Sequence, residues 1–258
     1  MNTIVIVETF IAFMIAVTLH ETAHAAMAAL LGDGSPGGAG RLSLNPRRHM
    51  ATIGTIVAIT LSVGIGGLPV GLGWGKPVEV DTRRMRVGPD AGIFLVALAG
   101  PAFSLVMGLL FSIVLHFMPS YDSLSYITNH CAIDSSFGST LQLCLSHAQP
   151  VWQLRIEQFL FVLAATNILL ALVNLIPLHP LDGYDMLFAL LPNGPAVRFR
   201  DFQPYMELTL LILFFLVPYV LTYVQLGFLN PGYWIGQWAV ALASRVAGSA
   251  YPLFVYSL

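Results

Sequence analysis

The stretch TIVIVETFIAFMIAVTLHETAHAAMAALL, residues 3–31, is a mainly apolar run that carries HETAH at residues 20–24. A membrane-spanning helix needs about 20 mainly apolar residues, so this run is long enough to cross a bilayer. Ionisable side chains inside such a span are costly to bury and usually mark a functional site. The stretch therefore predicts a transmembrane helix that holds a functional site within the membrane.

The composition of the chain supports a membrane protein. Of its 258 residues, 57% are hydrophobic and 9% are charged, whereas soluble domains contain about 25% charged residues. We predict an all-α polytopic membrane protein with five or six transmembrane helices. The candidate segments are residues 4–31, 52–72, 91–118, 155–177, 205–228 and, as a span or an interfacial helix, 233–256.

The positions of Lys and Arg indicate the orientation of these segments. Basic residues flank the segment 52–72 on both sides, and cytoplasmic loops collect Lys and Arg. A re-entrant 52–72 would keep both flanks in the cytoplasm, and the alternative is a full span that breaks the charge rule on one side. The first interpretation places HETAH in the cytoplasmic half of its helix. It also places Cys131 and Cys144 outside, either as a disulfide or as two free thiols.

The two histidines of HETAH have the spacing of metal ligands. His20 and His24 lie four residues apart, so a helix presents both on one face, where they can bind one metal ion. Glu21 follows the first histidine and can act as the general base, as in zinc metalloproteases with the HExxH pattern. The alternative is a chance match, but three ionisable groups in an apolar span would then be buried without compensation.

A third protein ligand is required, because catalytic zinc sites use three protein ligands and water. The candidate is Asp182 in NLIPLHPLDGYD, residues 174–185, where the fourth apolar segment ends at two prolines. The topology places this end of the segment at the depth of HETAH. The alternatives are a turn aspartate at the membrane interface, or His179 as the third ligand.

At these motifs the sequence resembles the site-2 protease family of intramembrane zinc metalloproteases (peptidase family M50), in a minimal form without a PDZ or CBS domain. HETAH resembles the HExxH helix of the family, and NLIPLHPLDG resembles its signature Asn-x-x-Pro-x-x-Pro-x-Asp-Gly. GRLSLNPRRHMATIGT and GWGKPVEVDTRRMR resemble the connecting region, which implies a small membrane-associated β element between the first and third hydrophobic segments. AGPAFS resembles the element Gly-Pro-x-x-Asn, but Ser104 stands where the family commonly has Asn, so we assign Ser104 no catalytic role.

The resemblance implies roles for individual residues. His20, His24 and Asp182 would bind one Zn²⁺ per chain, and Glu21 would be the base. Asn174, two helical turns before Asp182, would bind the substrate backbone or the developing oxyanion; a packing hydrogen bond is the alternative role. We predict a single integral-membrane protease domain over residues 1–258, with a catalytic core at about 4–192 and additional C-terminal helices at about 205–258.

The predicted function is that of a zinc-dependent intramembrane endopeptidase that hydrolyses peptide bonds within or near transmembrane segments of membrane proteins. Its predicted partners are such a protein substrate and the lipid bilayer, with no nucleic acid, and the oligomeric state is open. The predicted location is the cell membrane of a bacterium or archaeon, with several spans and the active site toward the cytoplasm. The alternatives are a membrane metal transporter and a proteolytically inactive protein that binds membrane clients.

Overall fold

The structure, a computed structural model, describes residues 3–49, 75, 79–118, 151–224, 226, 229 and 231–248. This part of the chain is mostly helical and forms no strand. A 3₁₀ turn is formed by Thr82–Arg84, and a π-helical turn by Ile212–Leu216. The α-helices are α1 (Thr3–Leu31), α2 (Ser35–Gly38), α3 (Pro46–His49), α4 (Pro89–His116), α5 (Val151–Asn174), α6 (Asp182–Leu190), α7 (Asn193–Asp201), α8 (Gln203–Leu211), α9 (Val217–Tyr223) and α10 (Pro231–Ala247).

In the described part of the chain, three helices are long and apolar enough to cross a membrane. They are Val7–Leu31 within α1, Pro89–His116 (the whole of α4) and Arg155–Asn174 within α5. These spans correspond to the first, third and fourth predicted segments, so the mainly helical membrane architecture is confirmed at that level.

The other predicted segments have different outcomes. The segment 205–228 is helical up to Tyr223 but is divided by the π-helical turn, and 233–256 corresponds to the 17-residue α10. Their role as spans stays a prediction. The segment 52–72 and the two cysteines lie outside the described residues, as do 50–55, 73–74 and 76–78 of the region expected to form the β element. The described part of that region, 40–49, 75 and 79–86, forms no strand, so the β element is not confirmed.

The three long helices pack against one another, and α10 packs against α4 and α5. Gly108 of α4 allows a close approach to α5, because a Cβ atom there would lie 2.6 Å from Ile168 Cγ1 and 2.9 Å from the carbonyl oxygen of Ala164. Small residues at helix interfaces let backbones approach in membrane proteins. The contact sets the distance between α4 and α5, and Ile168 is fully buried beside it.

Residues 79–88 are held against the end of α1 by hydrogen bonds that two of their backbone amides donate. The buried Asp33 carboxylate accepts hydrogen bonds from the amides of Ser35 (2.9 Å) and Asp81 (2.7 Å). The Arg86 amide donates to the Leu31 carbonyl at 2.9 Å. Burial alone would raise the pKa of Asp33, but the hydrogen bonds outweigh it and hold this pKa below its ordinary value. The segment that forms one wall of the site is thereby held against α1.

Two groups of arginines lie in segments that contact α1 or its end. Residues 41–48 lie in and beside α3, which packs against α1. Residues 83–86 lie at Leu31, where α1 ends. The segment 52–72 itself lies outside the described residues, so its re-entrant path stays a prediction.

The chain turns sharply between α5 and α6. Helix α5 ends at Asn174, residues 175–181 form a non-helical turn, and α6 begins at Asp182. The two prolines in the turn cannot continue a regular helix. The expectation that Asn174 lies two helical turns before Asp182 is therefore wrong: the two residues stand at the ends of different helices.

Candidate metal centre

His20, His24 and Asp182 meet where α1 faces the start of α6. His20 Nε2 lies 2.9 Å from Asp182 Oδ2, and His24 Nε2 lies 3.3 Å from Asp182 Oδ1. One donor atom from each of the three residues lies within 4.8 Å of the others. Both histidines are buried, while the Asp182 side chain is 19% exposed. The predicted ligands are therefore brought together from two parts of the chain 158 residues apart.

The geometry of this cluster fits a zinc ion. Two imidazole nitrogens and a carboxylate form a donor set that catalytic zinc sites use. Two ligand atoms about 2.0–2.1 Å from a tetrahedral zinc ion lie roughly 3.3–3.4 Å from each other. The observed separations of 2.9 and 3.3 Å are close to this value, so small side-chain adjustments suffice to accommodate the ion.

The other ring nitrogen of each histidine is held by α4. His24 Nδ1 donates to the Val96 carbonyl at 2.7 Å. Because a carbonyl only accepts, Nδ1 carries a proton, and in the neutral imidazole the Nε2 lone pair is then available to a metal. His20 Nδ1 lies 2.9 Å from the Ser104 hydroxyl. Metal-binding histidines usually have such a partner, which fixes the orientation of the ring.

Gly100 lies between these two contacts on the same face of α4. A Cβ atom at this position would lie 2.3 Å from His24 Nε2 and 2.7 Å from His20 Nε2. Val96, Gly100 and Ser104 are four residues apart in turn, so they form one stripe along the helix. Along this stripe, Val96 provides a hydrogen-bond acceptor, Gly100 leaves space for both imidazoles, and Ser104 provides a hydroxyl.

A cavity of about 320 Å³ opens beside the cluster and is lined by Glu21, His20, His24, Asp182 and Asn174. Glu21 is 8% exposed. The Gly75 backbone lies against it, because a Cβ atom at residue 75 would be 2.2 Å from Glu21 Oε1. Val80 and Thr82, in the segment 79–88 that is held against α1, line the cavity as well. The predicted base therefore faces the same space as the predicted ligands.

Asn174 lines the cavity at the end of α5 and has a hydrogen bond within its own helix. Its Nδ2 donates to the Leu170 carbonyl at 2.9 Å. An amide nitrogen carries a second hydrogen, so this bond leaves Asn174 capable of a further contact. Its role toward substrate stays a prediction.

His179, the alternative third ligand, is placed elsewhere. Its ring packs edge-on against Tyr184, with the ring centroids 5.3 Å apart. Among the described residues, the group able to hold a metal contains Asp182 and both HETAH histidines, and His179 is not part of it.

The contribution of α4 was missed by sequence reasoning. The quoted element AGPAFS contains both Gly100 and Ser104, but Ser104 was assigned no catalytic role because it differs from the residue common in the family. The usable signal was the four-residue spacing of a glycine and a small hydroxyl residue in a span that carries no charge after Asp90.

Comparison with known proteins identifies the family of the chain. The sequence model of peptidase family M50 matches residues 8–216. A Bacillus subtilis (strain 168) protein described as "Putative zinc metalloprotease YwhC" is 30% identical over 222 residues, which cover 86% of this chain and 85% of that protein. No solved structure matches the chain. The chain therefore belongs to peptidase family M50, the site-2 protease family, and is a metalloprotease.

Proposed function

We propose that this metalloprotease is a zinc-dependent intramembrane endopeptidase that hydrolyses peptide bonds within or near transmembrane segments of membrane proteins. The observation that carries the proposal is the depth of the metal centre. His20 and His24 lie inside the candidate span Val7–Leu31. Leu31 is seven residues beyond His24 (31 − 24), or about 10 Å along the helix axis. A hydrolytic site at this depth acts on polypeptide that enters the membrane.

Four residues have assigned roles in this proposal. His20, His24 and Asp182 hold one Zn²⁺ per chain. When bound, zinc supplies Lewis acidity that polarises a peptide carbonyl and activates water. Glu21, which faces the same cavity, takes a proton from the attacking water and delivers it to the leaving amine.

Asn174, at the end of α5, is proposed to bind the substrate from the wall of the cavity that this helix forms. It lines the cavity together with Leu170. Its amide can donate to a backbone carbonyl of an extended substrate, or to the oxygen on which negative charge develops. The substrate carbonyl would then be held between Asn174 and the metal centre.

The hydrogen bonding of a transmembrane helix favours a locally unwound substrate. Such a helix keeps its peptide groups in internal hydrogen bonds, so a short extended stretch, whose peptide carbonyl is free to meet the metal centre and Asn174, is the form that reacts.

The orientation and location are part of the proposal. Arginines at residues 83–86 lie at the end of α1 nearer to HETAH, and those at 41–48 belong to the segment that follows this end and packs against α1. Basic residues favour the cytoplasmic side. The active site is accordingly placed toward the cytoplasm, in a multi-pass protein of a bacterial or archaeal cell membrane. Residues 1–258 act as one protease domain whose partners are the bilayer and a membrane-embedded protein substrate.

The test uses purified protein in liposomes that also contain a single-span protein with water-exposed domains on both sides. We expect two fragments whose new termini, located by mass spectrometry, lie within or next to the apolar segment. A zinc chelator should stop the reaction, and added zinc should restore it. New termini confined to the water-exposed domains would contradict intramembrane action, although the protein would still be a metalloprotease.

A further inference from the structure

We propose that Ser104 is a positioning residue that holds the His20 ring in the orientation needed to bind the metal. This inference rests on the proposed function, because it concerns the same metal centre. It assigns a role to a residue that lies on a different helix from the HETAH motif, and it starts from one contact. The Ser104 hydroxyl lies 2.9 Å from His20 Nδ1, and both residues are buried.

The direction of this hydroxyl differs from that of several other hydroxyls in the described helices. A buried Ser or Thr in a helix commonly bonds back to the carbonyl four residues earlier. Ser112 does so to Gly108 at 2.9 Å, and Ser244 to Val240 at 2.8 Å. Thr18 and Thr22 do so on α1. Ser104 points across to α1 instead, where its partner is a buried imidazole nitrogen.

This hydrogen bond stabilises the buried imidazole more than it stabilises the hydroxyl. A serine in a helix has a carbonyl of its own helix within reach. A buried ring nitrogen without a partner is costly, and His20 Nδ1 is held on α4 by Ser104. The hydroxyl therefore acts on the ring, fixing its rotation so that Nε2 faces Asp182.

The two histidines have partners of different chemistry. The Val96 carbonyl only accepts, so it holds His24 with the proton on Nδ1. A hydroxyl both donates and accepts, so Ser104 is compatible with either tautomer of His20. Without metal, Nε2–H of His20 can donate to Asp182 while the hydroxyl donates to Nδ1. With metal bound through Nε2, Nδ1–H donates to the hydroxyl, which only has to rotate.

The test compares three variants of full-length protein in detergent or lipid. Ser104→Ala removes the hydroxyl, and Ser104→Thr retains it. Ser112→Ala is the matched control, because Ser112 lies on the same helix and is equally buried. Among the described residues, its hydroxyl donates only to the Gly108 carbonyl of α4. Zinc affinity is measured by competition with a chelator, the visible spectrum of the Co²⁺-substituted protein reports the ligand arrangement, and thermal unfolding of the metal-free protein reports stability.

We expect Ser104→Ala to weaken zinc binding by about 10–100-fold, the usual loss when the partner of a metal ligand is removed. Its Co²⁺ spectrum should change, whereas Ser104→Thr and Ser112→Ala should match wild type in both measurements. Equal zinc affinity and spectra in Ser104→Ala and wild type would overturn the inference, and so would an equal loss in Ser112→Ala. A wild type that binds no zinc would instead overturn the proposed function, and the inference with it.

Discussion

Replacing Glu21 with Gln is expected to lower the rate of peptide hydrolysis by about 10²–10⁴-fold, the usual contribution of a general base, while zinc remains bound. Gln has nearly the same size and shape as Glu, so the contact with the Gly75 backbone and the cavity wall are retained. It lacks the carboxylate that accepts the proton from water. The proposed metal ligands His20, His24 and Asp182 are unchanged, so metal content should equal that of wild type.

Both quantities are measured on one preparation, zinc by mass spectrometry and cleavage from the appearance of product in liposomes. The matched control is Glu8→Gln, the same chemical change on the same helix but three turns before the HETAH motif. It should retain wild-type cleavage. A Glu21→Gln protein that cleaves as fast as wild type would exclude Glu21 as the base. Loss of zinc from this variant would instead give Glu21 a role in the metal site.

Replacing Gly100 with Ala is expected to remove zinc binding although the change favours the helix. Ala is about 1 kcal/mol more favourable than Gly in a helix interior, so α4 itself should not be destabilised. The added methyl group would lie 2.3 Å from His24 Nε2 and 2.7 Å from His20 Nε2. Both imidazoles must then move, although Val96 and Ser104 hold their opposite nitrogens. We expect zinc affinity to fall by at least about 100-fold, the upper range for loss of one supporting contact.

The control for this variant is Gly194→Ala in α7. A Cβ atom at residue 194 has no heavy atom within 4 Å, so zinc affinity and cleavage should be those of wild type. Affinity is measured by chelator competition, and circular dichroism verifies that both variants are helical. Wild-type zinc affinity in Gly100→Ala would show that the histidines do not depend on the close approach of α4.

The parts of the site that were predictable follow local rules of the sequence. His20 and His24 share a helix face because they are four residues apart, and the structure keeps them there. Asp182 was found because a catalytic zinc site needs a third ligand and because the motif around Asp182 resembles the family signature. Both inferences need only the residue types, the helical repeat and the expected depth in the membrane.

The parts that were missed depend on how helices pack. The contacts of Ser104 and Val96 with the histidines join residues 84 and 72 positions apart, and their register is set by the packing of α4 against α1 and α5. The turn 175–181 was also misjudged where Asn174 and Asp182 were treated as one helix. Prolines at 177 and 180 signal a break, but the path of the chain through the break depends on tertiary contacts.

The most direct test of the central claim is the zinc content and zinc X-ray absorption spectrum of the purified, folded protein, with Asp182→Ala alongside. The account predicts one zinc per chain in wild type, with nitrogen and oxygen ligands at about 2.0–2.2 Å, imidazole among them. Asp182→Ala should bind zinc far more weakly. A folded wild type without zinc, or a spectrum with sulfur ligands at about 2.3 Å, would contradict a metal centre formed by His20, His24 and Asp182.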